Sequence, residues 1–523
     1  MLRGRGWDAG LWDAARVTAL VSVTFMVALA VLGAVMLLVM GGQIAPDMPW
    51  PRVVALAMLA GFAALIAVSL WRPRFLLRLY LPPLRAQASI LGLTALDTLA
   101  AAMVLYVLIP EGSFPPPLLF YSAFLLALGL GLVGTTPGGV GPFEFALLAC
   151  LPMVPEATLL AAIMGYRIVY FAIPGALAFV ALVIGPRLAA KLVPLRPAER
   201  AQVRPIIGGP KSAAAGALSF LAPRAEAGLI RQGEFDLLVS PEGLALSPVA
   251  PTGQSLIMLA RPLLHGLQAD LALASLSEAA EERMLIPCLY KCDGRMAATA
   301  RRLGWQVLKV SDEAVIAPAD YDVAVPARRQ LRRLLRKAEG AGITVSEAGP
   351  QPPLGAMRAV ADAWAEARHG VRGFSMGLFE DDYVLAQRVF LAHRGDELVG
   401  FVSFHEAWAE RTLDLMCHTE DAPPGTSQAL LNAAIEAARA DEVPRLSLAA
   451  VPCLADSLQL PKRASDRLGK VVAAGGLKRF KASFAPRWEP LYLVAPNRVA
   501  LAVSAVDLVD RITRPRTELR SGS

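Results

Sequence analysis

The residues best suited to chemistry lie in the last third of the chain. Asp414 stands in Leu413-Asp414-Leu415-Met416, where one acidic residue interrupts an apolar strand. Buried carboxylates are rarely left unpaired. Such a group serves as a structural partner for Arg or Ser, as a general base, or as the anion that holds a donor's α-amino group. Farther on, Gly476-Leu477-Lys478-Arg479-Phe480-Lys481-Ala482-Ser483-Phe484 alternates basic with apolar and aromatic side chains. That interleaving suits stacking against an RNA end or binding of a phosphate. The segment 328–337 is predicted to be a helix with Arg328, Arg329, Arg332, Arg333, Arg336 and Lys337 on one half of its cylinder. Its charged face is either solvated or a phosphate contact, to RNA or to anionic lipid head groups.

Other chemistries are argued against by spacing. The hairpin Leu391 to Phe404, turning at Arg394-Gly395-Asp396-Glu397, looks like the central hairpin of a GNAT acyltransferase. The following helix should then open on a glycine-rich turn whose N–H groups hold a pyrophosphate. Here that region reads Ala422-Pro423-Pro424-Gly425-Thr426-Ser427, with one glycine and two prolines, so coenzyme A is disfavoured and no cofactor is expected. Gly208-Gly209-Pro210-Lys211-Ser212 lacks the first glycine of a phosphate loop. Cys288 and Cys292 have no second pair at zinc spacing, and no histidine stands in an HExxH arrangement, so no metal is expected. The five cysteines are too scattered for a disulfide framework.

These residues must be positioned by a chain with two compositions. Of 523 residues 55% are hydrophobic, and the mean hydropathy is +0.48. Apolar segments at 17–40, 53–70, 88–109, 118–133, 143–153 and 157–184 predict about six crossings, the fifth notably short. Arginines cluster before the first segment, between the second and third (Arg72, Arg74, Arg78, Arg85), and after the last, while the other loops carry almost none. The positive-inside rule then places both termini in the cytoplasm. Val133 to Glu144, rich in glycine and proline, predicts a broken or re-entrant segment. Asp97, Glu144 and Arg167 are charges in or near spans, with Glu144 and Arg167 the candidate membrane site; Arg167 could instead pair structurally with Glu144 or Asp97. Residues 187–227 have linker composition. From Gly228 onward, strands and helices alternate in two rounds of mixed α/β structure, 228–326 and 327–500, followed by a tail at 501–523.

Gly373-Phe374-Ser375-Met376-Gly377, Leu413-Asp414-Leu415-Met416 and Gly476 to Lys481 continuing to Trp488-Glu489-Pro490 occur in an order that resembles the multiple peptide resistance factor family, the bacterial aminoacyl-phosphatidylglycerol synthases. Pro137-Gly138-Gly139-Val140-Gly141-Pro142 and Tyr166 to Pro174 resemble its membrane half. The resemblance implies a polytopic α-helical membrane domain followed by a cytosolic α/β tandem GNAT-like acyltransferase domain, in the bacterial inner membrane. It implies transfer of an aminoacyl group from aminoacyl-tRNA to phosphatidylglycerol, lowering membrane negative charge and giving resistance to cationic peptides. By its motifs Asp414, Lys481 and Arg479 would be catalytic. Lys478, Phe480, Ser375, Gly377, Arg332, Arg333 and Arg336 would bind substrate, the basic groups holding phosphate or an oxyanion. Two departures are Cys417-His418, where the family usually has arginine after the methionine, and Met258 to Pro262, which lacks Gly-Asp before the proline. The membrane region is shorter than that of the larger family members, which contain a flippase half; a synthase-type membrane half with synthesis in the inner leaflet is expected, and whether the chain also flips lipid stays open. The rival readings are a lipid flippase with a regulatory soluble domain and a GNAT-like acyltransferase acting on another lipid. The amino acid transferred and the oligomeric state, a homo-oligomer included, stay open.

Overall fold

A computed structural model describes residues 11–44, 50–71, 83–134, 139–180, 200–259, 263, 269–367, 372–453 and 474–513. The chain divides into two compact units, 1–197 and 198–523.

The first unit is helical: α1 (Leu11–Ile44), α2 (Trp50–Trp71), α3 (Leu84–Val107), α4 (Pro117–Val133), α5 (Pro142–Cys150) and α6 (Glu156–Arg167). A π-helical turn, Ile168–Ala172, follows α6 directly, and the helix then runs on to Val180. Among the described residues four helices are long and apolar enough to cross a membrane: Val21–Met40, Trp50–Ser69, Leu84–Val107 and Glu156–Val180. Their outward residues are apolar too, as at Leu93 and Leu96, which a water-facing bundle would not tolerate so widely. The fourth predicted segment is the 17-residue α4. The fifth is the nine-residue α5, about 14 Å long at 1.5 Å per residue and too short to cross alone. Residues 135–138, at the centre of the predicted break, lie outside the described residues.

The second unit is built on one twelve-stranded sheet. Its strands are β1 (Gln202–Arg204), β2 (Asp236–Val239), β3 (Ala245–Thr252), β4 (Ser255–Leu259), β5 (Ile286–Cys292) and β6 (Gln306–Ile316), then β7 (Ile343–Glu347), β8 (Arg388–Arg394), β9 (Glu397–Ala407), β10 (Glu410–His418), β11 (Arg445–Pro452) and β12 (Arg487–Ala495). Their order is β1-β2-β3-β4-β5-β12-β6-β11-β10-β9-β8-β7. Reading outward from the β12–β6 seam, β1 to β5 mirror β7 to β11 strand for strand. The pairing types agree as well, since β4–β5 and β10–β11 are parallel and the remaining pairs antiparallel. The unit is thus a tandem acyltransferase-like duplication in which each repeat gives its last strand to the other.

This exchange corrects the expected boundaries. The first repeat begins at β1, inside the stretch read as linker, because Ala213–Leu221 forms a helix and Ala225–Gln232 a 3-10 turn whose residues enter the core. Small residues gave those elements a linker's composition. The expected tail instead continues a helix, Arg498–Thr513, that packs Leu508 into the same core.

The two repeats differ where it matters for a site. β4 and β5 stay paired over five residues, whereas β10 and β11 pair only from Glu410–Arg445 to Thr412–Ser447 and then part. Both separating strands are irregular just beyond that point. The β9–β10 register shifts between Leu413 and Met416, and the β11–β6 register between Ser447 and Ala450. Bulges of this kind end pairing and re-aim side chains.

Candidate active site

Asp414 sits in the β10 bulge. Leu413 and Met416 pack in the cluster on one face of the sheet, while Leu415 packs with Tyr383 on the other. The bulge therefore turns Asp414 and Leu415 together toward Tyr383. The Asp414 side chain is only 5% exposed. Its Oδ2 accepts hydrogen bonds from the Tyr383 hydroxyl at 2.7 Å and Gln387 Nε2 at 2.8 Å, with His405 Nε2 at 3.5 Å. Tyr383 Oη is also 2.9 Å from His405 Nε2 and accepts from Gln232 Nε2 at 2.8 Å. Burial pushes the Asp414 carboxyl up, but His405 and the donated hydrogen bonds outweigh it and hold the group below the usual aspartate range. Burial and the adjacent carboxylate drive the Tyr383 hydroxyl well above its ordinary value, so it remains a donor. The amide oxygens of Gln232 and Gln387 are buried without a hydrogen-bond partner among the described residues. Three acceptors with unspent capacity thus belong to one buried cluster.

The wall of this cluster is Gly373-Phe374-Ser375-Met376-Gly377. Gln232 Nε2 donates to the Met376 carbonyl at 3.1 Å. A Cβ at Gly377 would lie 2.3 Å from Asp414 Oδ2, and one at Gly228 would lie 2.2 Å from His405 Nδ1. Gly377→Ala is expected to force the wall off Asp414 and to destabilise the unit by about 1–3 kcal/mol, read as a lower melting temperature. Buried Phe374 holds φ +64°, a left-handed conformation costing a non-glycine residue about 1–2 kcal/mol. Ser375 is buried, its carbonyl accepting from Lys291 Nζ at 3.1 Å. Lys291 also pairs with Glu226 at 2.5 Å.

Lys481 lies on the helix Ala474–Ala482 and is 3% exposed. Its Nζ donates to the carbonyls of Ala449 at 3.0 Å and Ala450 at 3.2 Å, the two residues at the β11 bulge. Asp414 therefore lies in the bulge of one of the two strands that part company, and the Lys481 side chain reaches from its helix to the bulge of the other. Burial foremost, and the charge of Lys291, push the Lys481 ammonium down to about 7, with Glu313 opposing. An ammonium enclosed by backbone carbonyls is not displayed to a phosphate, which corrects the expected phosphate-binding role for this lysine.

The other expected residues are elsewhere. Lys478 and Arg479 are exposed on that helix, Lys478 lying 3.7 Å from Asp312 and over the Trp488 ring, while Phe480 packs on Phe484. On the helix Arg329–Gly340, Arg332 Nη1 donates to the Val323 and Val325 carbonyls at 2.6 and 2.7 Å, a structural use rather than a displayed charge. Arg333 and Arg336 are exposed. The same helix covers the start of the helix Thr426–Ala440: a Cβ at Gly425, whose φ is +107°, would lie 2.2 Å from the Leu334 carbonyl. Cys417 packs in the apolar cluster with Phe401. In the membrane unit Arg167 pairs with Glu144 at 2.5 Å rather than with Asp97, and Glu144 also accepts from the Gly141 N–H at 2.6 Å. Asp97 instead faces the Tyr170 hydroxyl at 3.4 Å.

Tyr383, His405, Gln387, Gln232 and Lys291 were not singled out in the sequence. Lys291 left a trace, since Tyr290-Lys291-Cys292 puts a charge in an otherwise apolar run; Tyr383 and Gln387 stand four residues apart on one short helix and the turn after it, while Gln232 and His405 come from two distant elements. Glu410, at the root of β10, shows how the upstream segment is held: it accepts from Arg224 Nη1 at 3.1 Å and the Ala225 N–H at 2.8 Å, and pairs with Arg445.

Residues 226–495 match the family described as phosphatidylglycerol lysyltransferase, C-terminal. A stretch of 248 residues is 25% identical to the lysylphosphatidylglycerol biosynthesis bifunctional protein LysX of Gordonia bronchialis, covering 43% of this chain and 22% of that protein. Another of 96 residues is 38% identical to an uncharacterized protein of Synechocystis sp., covering 18% of this chain and 29% of the other. The matches thus span less than a third of these curated relatives. Among solved structures, a C-terminal domain named for a lysylphosphatidylglycerol synthetase of Agrobacterium fabrum aligns with a TM-score of 0.51 at 24% identity, covering 57% of this chain and 96% of that one. L-PGS from Bacillus licheniformis aligns with a TM-score of 0.50 at 22% identity, covering 58% and 99%. At these identities the likeness establishes the fold.

Proposed function

Because the chain belongs to the phosphatidylglycerol lysyltransferase C-terminal family, we propose that it transfers an aminoacyl group from aminoacyl-tRNA to the head-group hydroxyl of phosphatidylglycerol. The observation that carries this reading is the buried Asp414 carboxylate in the β10 bulge, held ionised beside two unpartnered amide oxygens. A carboxylate below its usual range is a poor base and a persistent anion. It suits the donor's α-ammonium, whose three N–H groups would find Asp414, Gln232 and Gln387. The lipid hydroxyl oxygen attacks the ester carbonyl carbon, and the tetrahedral intermediate collapses by breaking the bond to the ribose oxygen. The Lys481 amine, neutral above about pH 7, takes the hydroxyl proton and returns it to the departing ribose oxygen, leaving no net proton change. Product is an aminoacyl ester of the lipid that carries one added ammonium, which lowers membrane negative charge and supports resistance to cationic peptides.

The topology that fits is a bacterial inner-membrane protein with both termini cytoplasmic. Four crossings plus a re-entrant α4–α5 pair preserve the even count that the arginine distribution calls for, as do six crossings. Arg333, Arg336 and Arg329 on the exposed helix face would hold phosphates of the RNA donor. The double variant Arg333→Ala/Arg336→Ala is expected to weaken donor binding and to flatten the slope of log affinity against log salt by about two. The transfer itself is tested with the full chain in phosphatidylglycerol vesicles and tRNA charged with a labelled amino acid. Label entering the lipid fraction supports the reading, and label entering only with a fatty-acyl donor and no tRNA would favour the other-lipid acyltransferase.

A further inference from the structure

The helix Ala213–Leu221 reverses the usual arrangement of a surface helix, which turns its large apolar side chains to the core and its polar ones to water. Ala213, Ala217, Phe220 and Leu221 are all exposed, and at 3.6 residues per turn they fall within about 100° of arc. The opposite face carries Ala215 and Ser219, both buried, with the Ser219 hydroxyl donating to the Ala215 carbonyl at 2.7 Å. Small side chains thus face inward and large apolar ones outward. Phe220 and Leu221 are 53% and 57% exposed, and the patch continues onto Trp408 in the β9–β10 turn, 54% exposed, whose N–H donates to the Phe220 carbonyl at 3.0 Å. Both ends of the helix are tied to elements that carry the Asp414 cluster. Lys211, just before it, pairs with Asp382 at 2.5 Å, next to Tyr383, whose hydroxyl donates to Asp414. At the other end the Phe220–Trp408 hydrogen bond holds it to the turn between β9, which carries His405, and β10, which carries Asp414.

We propose that the Phe220–Leu221–Trp408 patch docks on the surface of a phospholipid bilayer, bringing the Asp414 cluster to the head-group layer so that a lipid head group reaches it while the acyl chains stay in the membrane. The use in transfer rests on the reading of the site as an aminoacyl-transfer centre; the docking itself does not. The occupant is a bilayer because the chain supplies one. The last of its apolar helices runs to Val180, and the described part of the second unit opens at Arg200. The 19 residues 181–199 between them extend at most about 65 Å, which tethers the second unit to a membrane surface. Arg187, Lys191, Arg196 and Arg200 follow the last apolar run, and cations clustered beside a span favour anionic lipid. The patch has the matching composition. Phe, Leu and Trp lie in the boundary between head groups and acyl chains, and Lys211 at the start of the helix suits anionic phosphates. An apolar patch of this kind left in water would be a liability on a soluble surface.

The test uses the full chain in vesicles of phosphatidylglycerol and phosphatidylcholine, with the partly exposed Cys150 and Cys453 replaced by serine and an environment-sensitive nitrobenzoxadiazole label on Phe220→Cys. The expected emission is shifted to the blue and quenched by lipids that carry a nitroxide near the head group. The same label on Arg333→Cys, on an exposed helix face, should be neither shifted nor quenched. A blue shift without quenching by lipid would mean that protein covers the patch, whether the membrane unit or a second copy, and would overturn the proposal. Emission typical of water, or equal quenching at both positions, would overturn it too. A second readout follows transfer. Phe220→Gln/Trp408→Gln is expected to lower aminoacylation of vesicle phosphatidylglycerol roughly tenfold, and to leave the melting temperature and the aminoacylation of a short-chain phosphatidylglycerol dissolved as monomers unchanged. An equal loss on both lipids would show a structural role and overturn the docking. If the wild type forms no aminoacyl lipid from either, the transfer reading fails, while the quenching still decides whether the patch meets the bilayer.

Discussion

Asp414→Asn should lower aminoacyl transfer by about two to three orders of magnitude while the protein remains folded, a loss of roughly 3–4 kcal/mol in transition-state stabilisation. Asparagine keeps the volume and one acceptor for the Tyr383 hydroxyl, so the variant isolates the charge. The lost anion faces His405 and two amide oxygens that have no hydrogen-bond partner among the described residues. A donor ammonium placed there would retain only neutral acceptors. The stability effect has a definite sign. Because the folded Asp414 titrates below its unfolded value, its contribution is fully present above the ordinary aspartate range and is lost as the pH falls through that range toward the folded value. Wild type and Asp414→Asn should therefore converge in stability on acidification. Transfer assays at neutral pH beside melting curves at pH 7 and at about pH 2, below the ordinary aspartate range, check both halves. Full activity in Asp414→Asn would remove this residue from the site.

Lys481→Met should also abolish most transfer, by about two orders of magnitude or more if the amine carries the proton, yet it should not weaken the fold at neutral pH. Lys481 is a base whose folded value, about 7, lies below its unfolded value of 10.5. Between those two values the unfolded chain binds more protons than the native one, so stability rises with pH across that window. Below about pH 7 both states hold the proton, and the native state bears the whole cost of enclosing a charge, on the order of a few kcal/mol. Methionine has nearly the same length and no charge, and replacing a buried ion by an apolar side chain of similar volume is often neutral or stabilising. The expected result is a wild type that gains stability relative to Lys481→Met from pH 7 to pH 9. Parallel curves would show that Lys481 stays charged, and its role as proton carrier would fall.

Asp414 was legible in the sequence because a carboxylate in an apolar strand has few ways to exist. The bulge that aims it was not, since nothing in Leu413-Asp414-Leu415-Met416 announces an extra residue in the register. Lys481 stood out as one of several basic residues among aromatics, but only the fold separates it from Lys478 and Arg479: three residues along one helix, one ammonium is enclosed by carbonyls and the others meet solvent. Most strands of the second repeat could be read from alternation and from the Arg394-Gly395-Asp396-Glu397 turn. β3 was obscured by Pro248 and Pro251, which ordinarily argue against a paired strand, and the exchange of β6 and β12 has no local signature at all. In the membrane unit the apolar runs were plain. Their lengths then separated the helices long and apolar enough to cross a membrane from the nine-residue α5, and the choice between Glu144 and Asp97 as partner of Arg167 needed three dimensions.

The most direct measurement is lipid extraction and mass spectrometry of cells expressing this chain against cells expressing Asp414→Ala, with protein levels matched. The account predicts a phosphatidylglycerol species heavier by one aminoacyl residue in the first and its absence in the second, the mass naming the amino acid. An unchanged phosphatidylglycerol profile in cells holding the folded wild-type protein would contradict it and would favour transport or a different acceptor.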